Sequence, residues 1–95
     1  MMSLVISGSI RTKGPVEVSV RNEDPITHGF NSSLFGPTDQ VEVMQGGYRA
    51  QGMGPHVYRV YPGKTMVLHF TASQEEVVTT DSFWCDMYGQ APGGG

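Results

Sequence analysis

Hydrophobic and polar residues alternate along two segments of the chain, PVEVSVRNED (residues 15–24) and GKTMVLHFTA (residues 63–72). The apolar positions are Val16, Val18 and Val20 in the first segment and Met66, Leu68 and Phe70 in the second. A repeat of about two residues is typical of a β-strand that buries one face. Each segment is therefore predicted to be a strand with one side in the core.

Four other segments have the composition of strands: SLVISGSI (3–10), VEVMQGGYRA (41–50), PHVYRVY (55–61) and VVTTDSFWCD (77–86). The glycine pair in VEVMQGGYRA predicts a β-bulge. The Pro-Gly pair in YPGK predicts a type II turn that joins residues 55–61 and 63–72 into an antiparallel hairpin. Frequent glycine and proline leave no window for a long amphipathic helix. About six short antiparallel strands predict an all-β sandwich or small barrel.

Two longer connections, residues 27–40 and 51–57, contain many turn-forming residues but also large apolar ones. The apolar residues are Phe30, Leu34, Phe35 and Met53. Because these side chains gain stability from burial, the connections are predicted to pack as ordered loops. The glycine-rich residues 89–95 are predicted to be a flexible tail, which leaves residues 1–88 as a single domain.

The composition and charge of the chain argue against a nucleic-acid partner, a membrane span and an internal disulfide. The chain has 95 residues, six lysines and arginines scattered singly, and a net charge of −3, so no basic surface for nucleic acid is predicted. The first ten residues have neither a charged start nor a long apolar run, so they predict neither a secretion signal nor a membrane span. The single cysteine excludes a disulfide within the chain.

The residues that could bind a metal ion or take part in catalysis are His28, His56, His69 and Cys85, together with nine carboxylates. The sequence has no G-x-S-x-G, no C-x-x-C and no phosphate-binding glycine loop, so hydrolase and zinc signatures are absent and no enzymatic activity is predicted. A Cys–His nucleophilic pair remains open. From residue type alone, Cys85 is also typical of a small buried residue, and His28 of an ordinary turn residue.

Three pieces of the chain, within residues 15–88, resemble the cupredoxins, the blue-copper-type proteins. They are Asn22-x-Asp24-x-x-x-His28-x-Phe30 after a strand, the PGKTMVLHFTA strand after a Pro-Gly turn, and the strand end Phe83-Trp84-Cys85. The resemblance implies a Greek-key β-sandwich of cupredoxin type that binds copper for electron transfer or copper carriage. It also implies a periplasmic or otherwise exported location, and a redox partner protein or a copper donor or acceptor as partner.

The same resemblance implies that His28 is the first histidine ligand, Cys85 the thiolate ligand and Met87 a candidate thioether ligand. The chain departs from the family after the cysteine, because the expected second histidine is missing and Tyr88 stands near its place. A third ligand from His56, His69 or a second copy of the chain in a homo-oligomer stays open. So do a degenerate site and the principal alternative, a metal-free β-sandwich that serves as an interaction or structural module.

Overall fold

A computed structural model of the chain describes residues 4–10, 13–35, 40–50, 56–73 and 82–85. Strands are the regular elements of these residues, and none of the described residues forms a helix long and apolar enough to cross a membrane. The strands are β1 (Leu4–Ser9), β2 (Lys13–Asn22), β3 (His28–Ser32), β4 (Glu42–Gln45), β5 (Gly47–Arg49), β6 (Tyr58–Val60), β7 (Thr65–Ser73) and β8 (Phe83–Cys85).

The strands form two four-stranded antiparallel sheets that pack face to face. Sheet I has the order β1-β2-β7-β4, and sheet II has the order β5-β6-β3-β8. The predicted all-β sandwich is therefore confirmed, and the two sheets are not closed into a barrel. The predicted tail, residues 89–95, lies outside the described residues.

The two alternating segments form the central strands of sheet I, as predicted. In β2 and β7 the apolar positions are buried, and they pair across the strands as Val16 with Phe70, Val18 with Leu68 and Val20 with Met66. The side chains between them face outward. A one-residue slip would turn every apolar side chain to the solvent, so burial of one face determines this register.

The core lies between the sheets, and Phe35 joins its two halves. Its ring centroid is 4.9 Å from that of Phe70 in sheet I and 5.4 Å from that of Tyr58 in sheet II. Phe30, Leu34 and Phe35 are all buried, which confirms that the segment from residue 27 packs against the core. Met53, the fourth apolar residue predicted to pack, lies outside the described residues.

The predicted hairpin across YPGK is wrong, although its turn forms. The Lys64 amide donates to the Tyr61 carbonyl over 3.1 Å, and Gly63 has a φ of +68°, as a type II turn requires. However, β6 pairs with β3 and β5, whereas β7 pairs with β2 and β4. Both strands carry an apolar face, and those faces meet across the core. The turn is therefore a corner between the sheets.

Residues 41–50, predicted as one strand with a bulge at Gly46-Gly47, are two strands in different sheets. Strand β4 pairs with β7, β5 pairs with β6, and Gly46 lies between them with a φ of +78°. The irregularity in pairing falls earlier, between Val43 and Gln45. A positive φ costs glycine little, so this residue lets the chain pass from one sheet to the other.

Strand β3 was not predicted from the sequence, because residues 27–40 have the composition of a loop. The structure places His28–Ser32 between β6 and β8, at the centre of sheet II. Of the predicted last strand, residues 77–86, the structure describes 82–85, and β8 covers Phe83–Cys85. The missed strand matters for function because it carries His28.

Burial of Tyr58 in the core is expected to make the stability of the protein depend on pH in the alkaline range. Burial raises the pKa of its phenol from 10.0 to about 12, and the nearby Arg49 lowers it in part. The folded protein therefore holds the phenol proton more tightly than the unfolded chain does. This difference contributes in full to the free energy of unfolding below pH 10, and the contribution is lost as the pH rises towards 12. The loss amounts to about 2–3 kcal/mol for a shift of this size.

We expect urea unfolding to show this alkaline loss in the wild-type protein and to show less of it in Tyr58→Phe, which has no phenol to ionise. Tyr48→Phe, at an exposed tyrosine, is the matched control and should keep the wild-type pH profile. Identical profiles for Tyr58→Phe and the wild type would show that this phenol does not carry the effect.

Candidate metal centre

The turn before β3 is held by Asn22, the last residue of β2, whose side chain is fully buried. Its Nδ2 donates to the carbonyl oxygens of Ile26, at 2.7 Å, and Val60, at 3.1 Å. Its Oδ1 accepts from the backbone amide of Asp24 at 2.9 Å, which forms an Asx turn. One amide side chain thus connects β2, the turn and β6, and so sets where Asp24 and His28 lie.

His28 and Cys85 meet on the inner side of sheet II. Cys85 pairs directly with Phe30, and His28 precedes Phe30 by two residues on the same face of β3. Diagonal neighbours of this kind lie within reach of long side chains. The Nδ1 atom of His28 lies 3.4 Å from the Sγ atom of Cys85. The two residues singled out from the sequence are therefore adjacent.

This separation fits two kinds of interaction. It lies within hydrogen-bonding range for sulfur, with one proton between Nδ1 and Sγ. It also fits two ligands of one metal ion: with metal–sulfur and metal–nitrogen bonds of about 2.3 Å and 2.0 Å, a 3.4 Å separation corresponds to an angle of about 100° at the metal. The distance is therefore compatible with either a shared proton or a shared metal ion.

Asp24 occupies the other side of the imidazole ring. Its Oδ2 lies 2.5 Å from Nε2 of His28, so carboxylate, imidazole and thiol form one continuous chain of contacts. The side chain of His28 is 14% exposed and that of Asp24 is 34% exposed, whereas Cys85 is buried. The chain of contacts therefore runs from the surface at Asp24 to the core at Cys85. Asp24 was part of the sequence motif but was not predicted as a site residue.

The other two histidines do not join this centre. His56 is buried, with its Nδ1 2.9 Å from the hydroxyl of Tyr58. Because Tyr58 pairs with Phe30 on an antiparallel strand, His56 lies towards the Ser32 end of β3, the end opposite His28. A rise of about 3.3 Å per residue separates these two ends by about 13 Å.

His69 lies on sheet I, and its side chain points away from the core as predicted. Its Nε2 is 2.8 Å from Oε2 of Glu17, and its other neighbour in the sheet is Glu42. These residues line an open groove of about 1020 Å³. The groove does not include His28 or Cys85, so it is separate from the candidate metal centre.

The donor set is incomplete among the residues that the structure describes. Met87, the candidate thioether ligand, lies outside them. Within the described ranges, no group of three or more histidine, cysteine, aspartate or glutamate side chains converges on a point where a metal ion could bind. The structure thus supplies two neighbouring donors, the imidazole of His28 and the sulfur of Cys85, with Asp24 behind the imidazole.

Comparison of the chain with protein-family models, with curated proteins and with solved structures gives no match. No family is therefore shown for the chain. Its architecture is a two-sheet antiparallel β-sandwich, and the contact between His28 and Cys85 is its most informative chemical feature.

Proposed function

We propose that this protein binds copper through the Cys85 thiolate and Nδ1 of His28, on a Greek-key sandwich of cupredoxin type. The observation that carries the proposal is the 3.4 Å separation between Nδ1 and Sγ, which joins residues 57 positions apart in the sequence. The bound copper serves one-electron transfer or copper carriage.

The two donors suit copper chemically. A soft thiolate favours Cu(I), and imidazole is a ligand for both oxidation states of copper. Both donors lie on paired strands of one sheet, so the protein holds them in nearly constant geometry. Limited movement between oxidation states favours fast electron transfer.

The third ligand comes from a residue outside the described part of the chain or from a second copy. Met87 is the candidate nearest in sequence, since it follows Cys85 by two residues. Cu(I) is stable with two or three ligands, so a site built from His28, Cys85 and one weak thioether would favour the reduced ion.

The partner in this proposal is a redox protein, or a copper donor or acceptor, that docks near His28. Ile26, in the turn two residues before His28, is 58% exposed. An exposed apolar side chain near His28 suits a transient protein contact. On the same resemblance to cupredoxins, we propose a periplasmic or otherwise exported location.

Carboxylate, imidazole and thiol in this order also form the relay of a thiol nucleophile. Access argues against that role, because Cys85 is only 8% exposed and lies within a paired strand. A metal ion needs to reach one lone pair on sulfur, whereas a substrate carbonyl must approach with its substituents. We therefore propose binding rather than catalysis.

Copper titration tests the proposal. Addition of cupric ion to the purified protein is expected to give an intense visible charge-transfer band from thiolate to copper. Cys85→Ser should abolish the band, His28→Gln should weaken copper binding, and Met87→Leu should shift the band if the thioether binds. His69→Gln is the matched control, since it removes an imidazole on the other sheet, and should leave the band unchanged.

The copper proposal would be rejected if the folded wild-type protein gave no band with cupric ion and also failed to bind cuprous ion in competition with a Cu(I) chelator. The Nδ1–Sγ contact would then be a structural hydrogen bond, and the metal-free interaction module would be the better description. Sedimentation analysis would test that alternative, because such a module is expected to form oligomers or to bind a protein partner.

A further inference from the structure

We infer that Asp24 is a positioning residue that directs the Nδ1 edge of the His28 ring to Cys85. The contact itself is independent of metal, whereas its consequence for copper affinity rests on the function proposed above. Nothing in the sequence motif distinguishes Asp24 from an ordinary turn carboxylate.

The hydrogen-bonding capacity of the groups leads to this assignment. An ionised carboxylate only accepts hydrogen bonds, so at 2.5 Å from Oδ2 the Nε2 atom of His28 carries a proton. Nε2 is therefore not available to a metal ion. The opposite edge, Nδ1, shares one proton with the sulfur of Cys85, and this is the proton that a metal ion would replace.

The position of Asp24 is itself determined by buried groups. The backbone amide of Asp24 donates to Asn22 Oδ1, and the amide nitrogen of the same Asn22 side chain is anchored on Val60 of β6. The carboxylate is therefore held against the ring by the fold, not by charge attraction alone. Since Asp24 is 34% exposed, solvent screens its charge, and its main effect is to orient the ring.

A carboxylate behind a metal-bound histidine commonly raises the basicity of the imidazole and fixes the ring orientation. Loss of such a partner typically lowers metal affinity by about 10- to 100-fold. We expect Asp24→Ala to lower copper affinity within this range. Asp24→Asn should lose less, because the amide oxygen can still accept from Nε2. Glu23→Gln, which removes the neighbouring exposed carboxylate, should have no effect.

Proton NMR of the metal-free protein supplies a readout that does not depend on copper. A proton held between Nε2 and a carboxylate over 2.5 Å is expected to resonate far downfield and to exchange slowly with water. The signal should be present in the wild type and in Glu23→Gln, and absent in Asp24→Ala. Persistence of the signal in Asp24→Ala, or its absence from the wild type, would overturn the inference.

The two proposals fail in different ways. If the wild type shows the downfield proton but binds no copper, the copper function falls while the Asp24 contact stands. If copper binds and Asp24→Ala matches the wild type in affinity, the positioning role falls and the copper function stands. The Asp24→Asn variant separates orientation from charge, because equal losses in Asp24→Asn and Asp24→Ala would overturn the assignment to orientation.

Discussion

Gly46→Ala is expected to remove much of the stability of the fold. A Cβ atom at this position would lie 2.0 Å from the carbonyl oxygen of Thr65, and the residue has a φ of +78°, which alanine adopts only with strain. The neighbouring atoms belong to the backbone of a central strand and cannot move aside. We expect a loss of more than about 4 kcal/mol, against a total of about 5–15 kcal/mol for a typical domain.

Gly63→Ala is the matched control for this prediction. Gly63 also has a positive φ, +68°, but no other atom lies within 4 Å of a Cβ at this position. The substitution should therefore cost only the backbone strain, about 1–2 kcal/mol. Urea unfolding of both variants separates strain from collision. Equal losses would show that the passage between sheets at Gly46 is less crowded than the structure indicates.

Asn22→Ala is expected to destabilise both the fold and the candidate centre. The substitution leaves the carbonyls of Ile26 and Val60, and the amide of Asp24, without their side-chain partner. At about 1 kcal/mol net for each hydrogen bond, and more where a group stays buried, the loss is about 3 kcal/mol. Because Asp24 and His28 depend on this turn, copper affinity should fall as well.

Asn31→Ala is the control, since Asn31 lies on the outer face of β3 and its side chain accepts a local bond from the amide of Ser32 at 2.7 Å. We expect a loss of about 1 kcal/mol and no change in copper binding. The measurements are chemical denaturation and copper titration of both variants. A loss in Asn22→Ala no greater than in Asn31→Ala would contradict the central role of Asn22 in the turn.

The strands that bury one face were predicted well because their signal is local. In β2 and β7, apolar and polar side chains alternate along the sequence, and the apolar ones are buried in the structure. Pairing partners carry no such local signal. The Pro-Gly turn at Gly63 was identified correctly, yet the turn chemistry is the same for a hairpin and for a corner between sheets.

Strand β3 shows the opposite case, in which a loop-like sequence becomes a central strand. His28–Ser32 includes a glycine and three polar residues, and it is paired on both sides, by β6 and β8. Backbone hydrogen bonds to two neighbours stabilise the extended conformation whatever the local preference. Strand propensity depends on context in this way, so the composition of the segment was a poor guide.

The sequence by itself determined which side chains are apolar on alternate positions, and hence the all-β class and the main part of the core. It also placed His28 and Cys85 among the residues with metal-binding chemistry. Only the tertiary structure decided that these two side chains meet and that Asp24 contacts the far side of the imidazole. The physical reason is that the meeting depends on the register of β3 with β8, a pairing of residues 51 to 55 positions apart, which only packing of the two sheets can set.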